Sequence, residues 1–120
     1  MSIKDILYAE DEFTNRKLLQ IQFEKNDLQC DLARDGREAL DLATSNQYKM
    51  IILDQYMPGL NGDEVARTIR QTDPNIPLIA ITSDDMEIEN LRKAGFNEVF
   101  IKPLRGTGHI DKIKEYINKV

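Results

Sequence analysis

Five short apolar runs punctuate the chain, and each is followed by apolar residues recurring at helical spacing. Ile3 to Ala9 is the first run and stops at Glu10-Asp11-Glu12. From Thr14 or Asn15 to about Lys25, Leu18, Leu19, Ile21 and Phe23 predict an amphipathic first helix, with Asn26-Asp27 as its stop. Gln29 to Ala33 alternates, with Cys30 and Leu32 on one face and Asp31 on the other, as expected of a partly wet strand at a sheet edge. Asp35-Gly36 then turns into a second helix with Ala39, Leu40, Leu42 and Ala43 as its apolar stripe and Arg37 paired with Asp41 at i, i+4.

Met50 to Leu53 is continuously apolar, ends in Asp54 and is followed by the breaker pair Pro58-Gly59, the pattern of a buried parallel strand with a carboxylate at its tip. Val65, Ala66 and Ile69 face inward from a third helix that ends near Thr72. Ile76 to Ile81 is a fourth buried strand running into Thr82-Ser83-Asp84-Asp85. Asp84 and Glu87 have capping-box spacing ahead of a fourth helix carrying Ile88, Leu91 and Ala94, which Gly95 closes. Val99 to Ile101 is a fifth strand, Lys102-Pro103 follows, and Ile110, Ile113 and Ile117 line a last helix. Strand then helix, five times over with short links, predicts an α/β fold: three layers, a doubly wound five-stranded parallel sheet with helices on both faces.

At 120 residues the expectation is one domain, residues 1–120. The chain carries 16 basic and 21 acidic residues, a net charge of −5, and an acidic domain repels phosphate backbones, which argues against direct nucleic-acid binding. No run of about 18 apolar residues and no signal-peptide pattern is present, so the expectation is a cytoplasmic protein that does not enter a membrane. Cys30 is the single cysteine, which excludes an internal disulfide and a cysteine metal cluster and reads as a small apolar strand residue.

The chemistry collects where the apolar strands end: Glu10 and Asp11 after the first, Asp54 at the third, Thr82 after the fourth, Lys102 after the fifth. In an open α/β sheet these carboxyl-end tips border the ligand crevice. Three carboxylates held close repel one another unless a cation joins them, and a hard divalent ion such as Mg²⁺ suits a few carboxylates with open positions. With Mg²⁺ and Lys102 neutralising charge and the Thr82 hydroxyl as donor, the tips can accept a phosphoryl group, and Asp54 is the carboxylate left to attack it. The sole histidine, His109, lies away from the tips and reads as a solvated surface residue; Glu12 reads as surface charge. Singly, a strand-end Asp, a lysine before proline or a threonine beside a turn has a bland reading as cap or solvated residue.

Together they carry a resemblance. Glu10-Asp11, Ile-Ile-Leu-Asp54 followed by Met57-Pro58-Gly59 and Gly62, Thr82-Ser83, Ala94-Gly95 and Lys102-Pro103 match, in order and separation along essentially the whole chain, the receiver domain of two-component response regulators, including small stand-alone chemotaxis regulators. The resemblance implies a flavodoxin-like strand order 2-1-3-4-5. It implies Asp54 as phosphoacceptor, Mg²⁺ held directly by Asp11, Asp54 and the Tyr56 backbone carbonyl and through water by Glu10, and phosphoryl oxygens held by Thr82 and Lys102. The implied donor is a phosphohistidine on a sensor histidine kinase or a histidine phosphotransfer protein, with acetyl phosphate as a small substitute. The downstream protein partner is not specified by the residues.

Two positions depart from that family. The aromatic residue expected three before the lysine is Val99, with Phe100 beside it on the opposite strand face, which predicts a weaker or differently read shift at the face of the fourth helix, fifth strand and fifth helix. Tyr56 and Asp84 stand where the family tunes hydrolysis, and the Tyr56 ring is expected to obstruct water; for Asp84 a helix cap is the alternative role, and Ser83 stands where Ala is frequent. Two other functions stay open at this point. One is a receiver-fold binding module that no longer needs phosphate. The other is an Asp-nucleophile, Mg²⁺-dependent phosphatase like the haloacid dehalogenases, which would need a second Asp where Tyr56 stands.

Overall fold

A computed structural model of the chain describes residues 3–118. Its elements alternate as expected: β1 (Lys4–Ala9), α1 (Phe13–Lys25), β2 (Cys30–Ala33), α2 (Gly36–Ser45), β3 (Tyr48–Asp54), α3 (Gly62–Thr72), β4 (Leu78–Thr82), a single 3-10 turn (Asp85–Glu87), α4 (Ile88–Ala94), β5 (Glu98–Ile101) and α5 (Gly108–Asn118). All pairings are parallel, in the order β2-β1-β3-β4-β5, so β2 is an edge strand.

Period-two alternation along the strands builds two cores. Leu7, Ala9, Ile51, Leu53, Leu78 and Ala80 face α2, α3 and α4, where Ala39, Val65, Ala66, Ile69, Leu91 and Ala94 meet them. Ile6, Tyr8, Met50, Ile52, Ile79 and Ile81 face α1 and α5, packing on Leu19, Phe23, Ile110, Ile113 and Ile117. The central strands are buried on both faces, which is why they read as unbroken apolar runs. Half-buried Cys30 packs against the second core, as its apolar reading expects.

Several local expectations are corrected. On α1 only Leu19 and Phe23, an i, i+4 pair, turn inward; Leu18 (60% exposed) and Ile21 (38%) lie off that face and, with Phe13 (66%), leave apolar surface in water. The left-handed residue after α1 is Asp27 (φ 58°), not Asn26. Strand β3 starts two residues earlier than Met50, at Tyr48, whose hydroxyl donates to Asp31 Oδ2 at 2.6 Å. The i, i+4 ion pair at α2 joins Arg34 to Glu38 (3.5 Å), and Arg37–Asp41 is not among the pairs of the described residues. Asp84 caps the 3-10 turn by accepting from the Met86 amide (3.0 Å), but Glu87 does not reach back to complete a box; the reciprocal contact occurs at α3, where the Asn61 amide donates to Glu64 Oε1 at 3.0 Å. Glu12 is exposed yet caps α1, accepting from the Thr14 and Asn15 amides.

His109 is likewise not solvated. It is 8% exposed, its Nε2 lies 2.8 Å from Gln22 Oε1 on α1, and its ring meets Phe100 edge-on, because the first turn of α5 tucks between β5 and α1. Burial holds its imidazole below the ordinary range.

Gly95 (φ 116°) ends α4 as expected, and a Cβ there would lie 2.7 Å from the Arg70 side chain. Arg70 donates to the Gly95 carbonyl from Nε (3.0 Å) and Nη2 (2.7 Å), to the Asp73 and Ile76 carbonyls, and to Asn97 Oδ1, clasping the end of α4 to α3 and the start of β4. Among the described residues no helix is long and apolar enough to cross a membrane.

Candidate functional site

Parallel register brings the strand tips to one edge. Ala9 pairs with Leu53, Asp54 with Ile81, and Thr82 with Ile101, so Glu10, Asp11, Asp54, Thr82 and Lys102 all sit at the carboxyl end of the sheet. Each apolar run stops where its polar residue reaches that edge, so the motif spacing in sequence becomes convergence in space.

The arrangement centres on Lys102. Its Nζ lies 2.8 Å from Asp54 Oδ1 and 3.2 Å from Glu10 Oε1. Asp54 is 5% exposed and Glu10 1%, and Glu10 is further held by the Glu12 amide, which donates to its Oε2 (3.2 Å). Asp11 is exposed, and one carboxylate oxygen from each of Glu10, Asp11 and Asp54 falls within 4.8 Å of the others. Burial and the neighbouring Asp54 push the Glu10 carboxyl up, against the Glu12 amide and Lys102. Burial also pushes Asp54 up, against its bond and attraction to Lys102 and with a contribution from Asp11. Burial works against the Lys102 ammonium, but Asp54 and Glu10 outweigh it and hold it above the ordinary range. The formal charges at the site do not balance. Three carboxylates face one ammonium, a deficit of two charges that one dication fills, and the donors are hard carboxylate oxygens of the kind Mg²⁺ prefers. The residues fit such an ion.

Thr82 is fully buried, and its Oγ1 accepts from the Asp84 amide at 3.1 Å, which leaves the hydroxyl proton to donate elsewhere. The Lys102 amide donates to the Thr82 carbonyl (2.8 Å), tying the fourth and fifth tips together, and the Lys102–Pro103 peptide is cis. Tyr56 stands two residues past Asp54 in the loop toward α3, 48% exposed, with its hydroxyl 3.4 Å from Glu87 Oε1. Ser83 is exposed. Val99 and Phe100 belong to opposite cores, as their alternation on β5 predicts.

Two supporting residues, Gln55 and Arg16, lie outside the motifs, and the structure gives the motif residue Gly62 its reason. Gln55 is 3% exposed; its amide donates to the Ile81 carbonyl (2.9 Å) and its Oε1 accepts from the Asp63 amide in the first turn of α3 (2.9 Å). Its signal was a polar residue set between two buried positions, Asp54 and Met57. Gly62 lets the same loop close on the strand: a Cβ there would lie 2.6 Å from the Asp54 carbonyl oxygen. Arg16, a turn into α1, donates from Nη1 to the Glu10 carbonyl at 2.8 Å, and only its helical offset from Glu10 hinted at this. Beside the site, a groove of about 250 Å³ runs between α1 and the segment after β5, bordered by Leu18, Leu19, Pro103 and Leu104 and reaching Glu10 and Lys102.

Known proteins resemble this chain in sequence and in fold. Residues 6–114 match the sequence profile of the response regulator receiver domain. The response regulator MprA of Mycolicibacterium vanbaalenii is 36% identical over 100 residues, 82% of this chain but 43% of MprA, so the chain spans under half the length of that relative. The polar-differentiation response regulator DivK of Brucella anthropi is 31% identical over 118 residues, covering 95% of this chain and 96% of DivK. Among solved structures, the response regulator TrrA of Thermotoga maritima, in complex with Mg²⁺-BeF, superposes with a TM-score of 0.88 at 31% identity over 94% of this chain and 98% of TrrA.

Proposed function

This chain belongs to the response regulator receiver domain family, and from that membership we propose that it is a phosphorylation-operated signalling switch in which Asp54 accepts a phosphoryl group from a phosphohistidine of a sensor kinase or phosphotransfer protein. The observation that carries this reading is the ammonium of Lys102 set 2.8 Å from the nearly buried Asp54 and 3.2 Å from Glu10, at the edge that also carries Thr82. An Asp54 carboxylate oxygen attacks phosphorus, the donor's N–P bond breaks, and the imidazole leaves and takes a proton from solvent. Lys102 stabilises the charge gathering on the phosphoryl oxygens and Thr82 donates its hydroxyl proton to one of them. Asp11, Asp54 and the Tyr56 carbonyl would hold Mg²⁺ directly and Glu10 through water, and the ion when bound would supply the remaining charge neutralisation. The TrrA complex supports this, since beryllium fluoride stands in for a phosphoryl group.

The donor docks over the apolar surface of α1, where Phe13, Leu18 and Ile21 are exposed beside the groove that reaches Lys102. The phosphoryl group ends as inorganic phosphate when water attacks it, and the Tyr56 ring slows that attack. The domain acts in the cytoplasm by changing its binding to another protein, not as a turnover enzyme. Mass spectrometry of protein incubated with Mg²⁺ and acetyl phosphate tests the reading: one phosphoryl mass on the parent and none on Asp54→Asn is expected, and equal gain by both would overturn it. A pull-down with and without beryllium fluoride and Mg²⁺ separates a switch, whose partners change, from a constitutive binding module, whose partners do not.

A further inference from the structure

Asp54 and Ile81 are register partners, so the loops after β3 and β4 leave the sheet side by side above the acceptor. The backbone around Tyr56 is fixed: Gln55 and Met57 are both buried, the Gln55 amide donates to the Ile81 carbonyl (2.9 Å), and the Met57 amide donates to Asn61 Oδ1 (3.4 Å). The half-exposed ring between them has one polar tie among the described residues, its hydroxyl donating to Glu87 Oε1 across the gap, at 3.4 Å. Glu87 is itself braced, since its other carboxylate oxygen accepts from Asn90 Nδ2 (3.1 Å) and its amide donates to the Asp84 carbonyl (3.1 Å). An untied surface tyrosine exchanges rotamers on a fast timescale, and a hydrogen bond to a fixed acceptor selects one of them.

We propose that Glu87 is a positioning residue for Tyr56: it holds the ring across the gap between the loops that follow β3 and β4, and so sets how long the phosphoryl group survives. This rests on the reading of Asp54 as acceptor and of Tyr56 as its barrier to water. In the step concerned, water oxygen bonds to phosphorus, the bond from phosphorus to the Asp54 oxygen breaks, the carboxylate is regenerated, and the water's protons pass to phosphate and solvent. Glu87 touches none of these atoms; it acts through the ring.

The test follows loss of label from protein phosphorylated with radiolabelled acetyl phosphate, after the donor is removed. Glu87→Ala and Tyr56→Phe should each speed the loss by about threefold, the scale of one modest hydrogen bond. The double variant should be no faster than either, and Glu87→Gln, which keeps an acceptor, should stay at the parent rate. A Glu87→Ala variant at the parent rate, or effects that multiply in the double variant, would overturn the proposal. Scalar couplings of Tyr56 in the unphosphorylated protein test the tether separately: one side-chain rotamer in the parent and averaging in Glu87→Ala support it, whereas averaging in the parent sinks it. Failure of the parent to take up label would sink the Asp54 reading instead, and Tyr56→Ala at the parent rate would sink the ring as barrier, with the rotamer result standing on its own.

Discussion

Lys102 Nζ lies 2.8 Å from Asp54 Oδ1, so this nearly buried carboxylate is held in an ion pair at the edge of the sheet. One ammonium does not offset the three carboxylates, and a dication should therefore bind and stabilise the fold by mass action. Adding Mg²⁺ is expected to raise the melting temperature of the parent and to do so much less for Asp11→Ala; equal shifts in thermal scans would remove Asp11 from the ion's ligands.

Gly62 is a packing requirement of the loop between β3 and α3. An alanine there would set its Cβ 2.6 Å from the Asp54 carbonyl oxygen, a backbone atom that cannot swing aside. Gly62→Ala should cost about 1–3 kcal/mol in urea unfolding and slow uptake of phosphoryl from acetyl phosphate. Parent-like values of both would mean that the loop accommodates the methyl group.

Leu18 is 60% exposed on α1 and borders the groove that reaches Lys102. On the proposed docking of the donor over α1, a charge placed there would disturb that docking while leaving Asp54 untouched. Leu18→Asp should slow transfer from a phosphorylated kinase by about tenfold while leaving uptake from acetyl phosphate unchanged, since losing one apolar contact at an interface costs on the order of 1–2 kcal/mol. Equal slowing with both donors would argue against α1 as the docking face.

Val99 leaves β5 without an aromatic ring to turn inward, and Phe100 already packs in the opposite core against His109. Amide exchange on the face of α4, β5 and α5 should therefore change little when beryllium fluoride and Mg²⁺ are added. A large gain of protection there would show that the face responds without the ring.

His109 supplies a pH dependence with a fixed sign. Burial holds its imidazole below the ordinary range, so the unfolded chain takes up a proton first as pH falls. The stability due to the neutral ring is whole above about pH 6.5 and is lost as pH drops through the folded value. Between about pH 7.5 and about pH 5.5 the parent should lose more stability than His109→Gln in urea titrations. Parallel losses would place the dependence elsewhere.

Much of this architecture was legible because the two central strands are buried on both faces and so leave unbroken apolar runs, Met50 to Leu53 and Leu78 to Ile81, each ending in its site residue. What sequence obscured depended on which of two apolar stripes a helix turns inward. Leu18 and Leu19 look alike as letters, yet only Leu19 shares a face with Phe23. His109 depended on the angle at which α5 meets α1, which no local pattern encodes. Gln55 and Glu87 were hidden for a related reason: their partners, the Asp63 amide and the Tyr56 hydroxyl, are brought to them by loop paths that follow only once the sheet is assembled.

The grip of Arg70 on the Gly95 carbonyl gives α4 one anchored end. The same side chain reaches the Asp73 and Ile76 carbonyls and Asn97 Oδ1, so one guanidinium fastens three separate segments at that end. Arg70→Met would remove that donor from all of these acceptors at once, so the end of α4 would come loose from α3 and from the approach to β4 together.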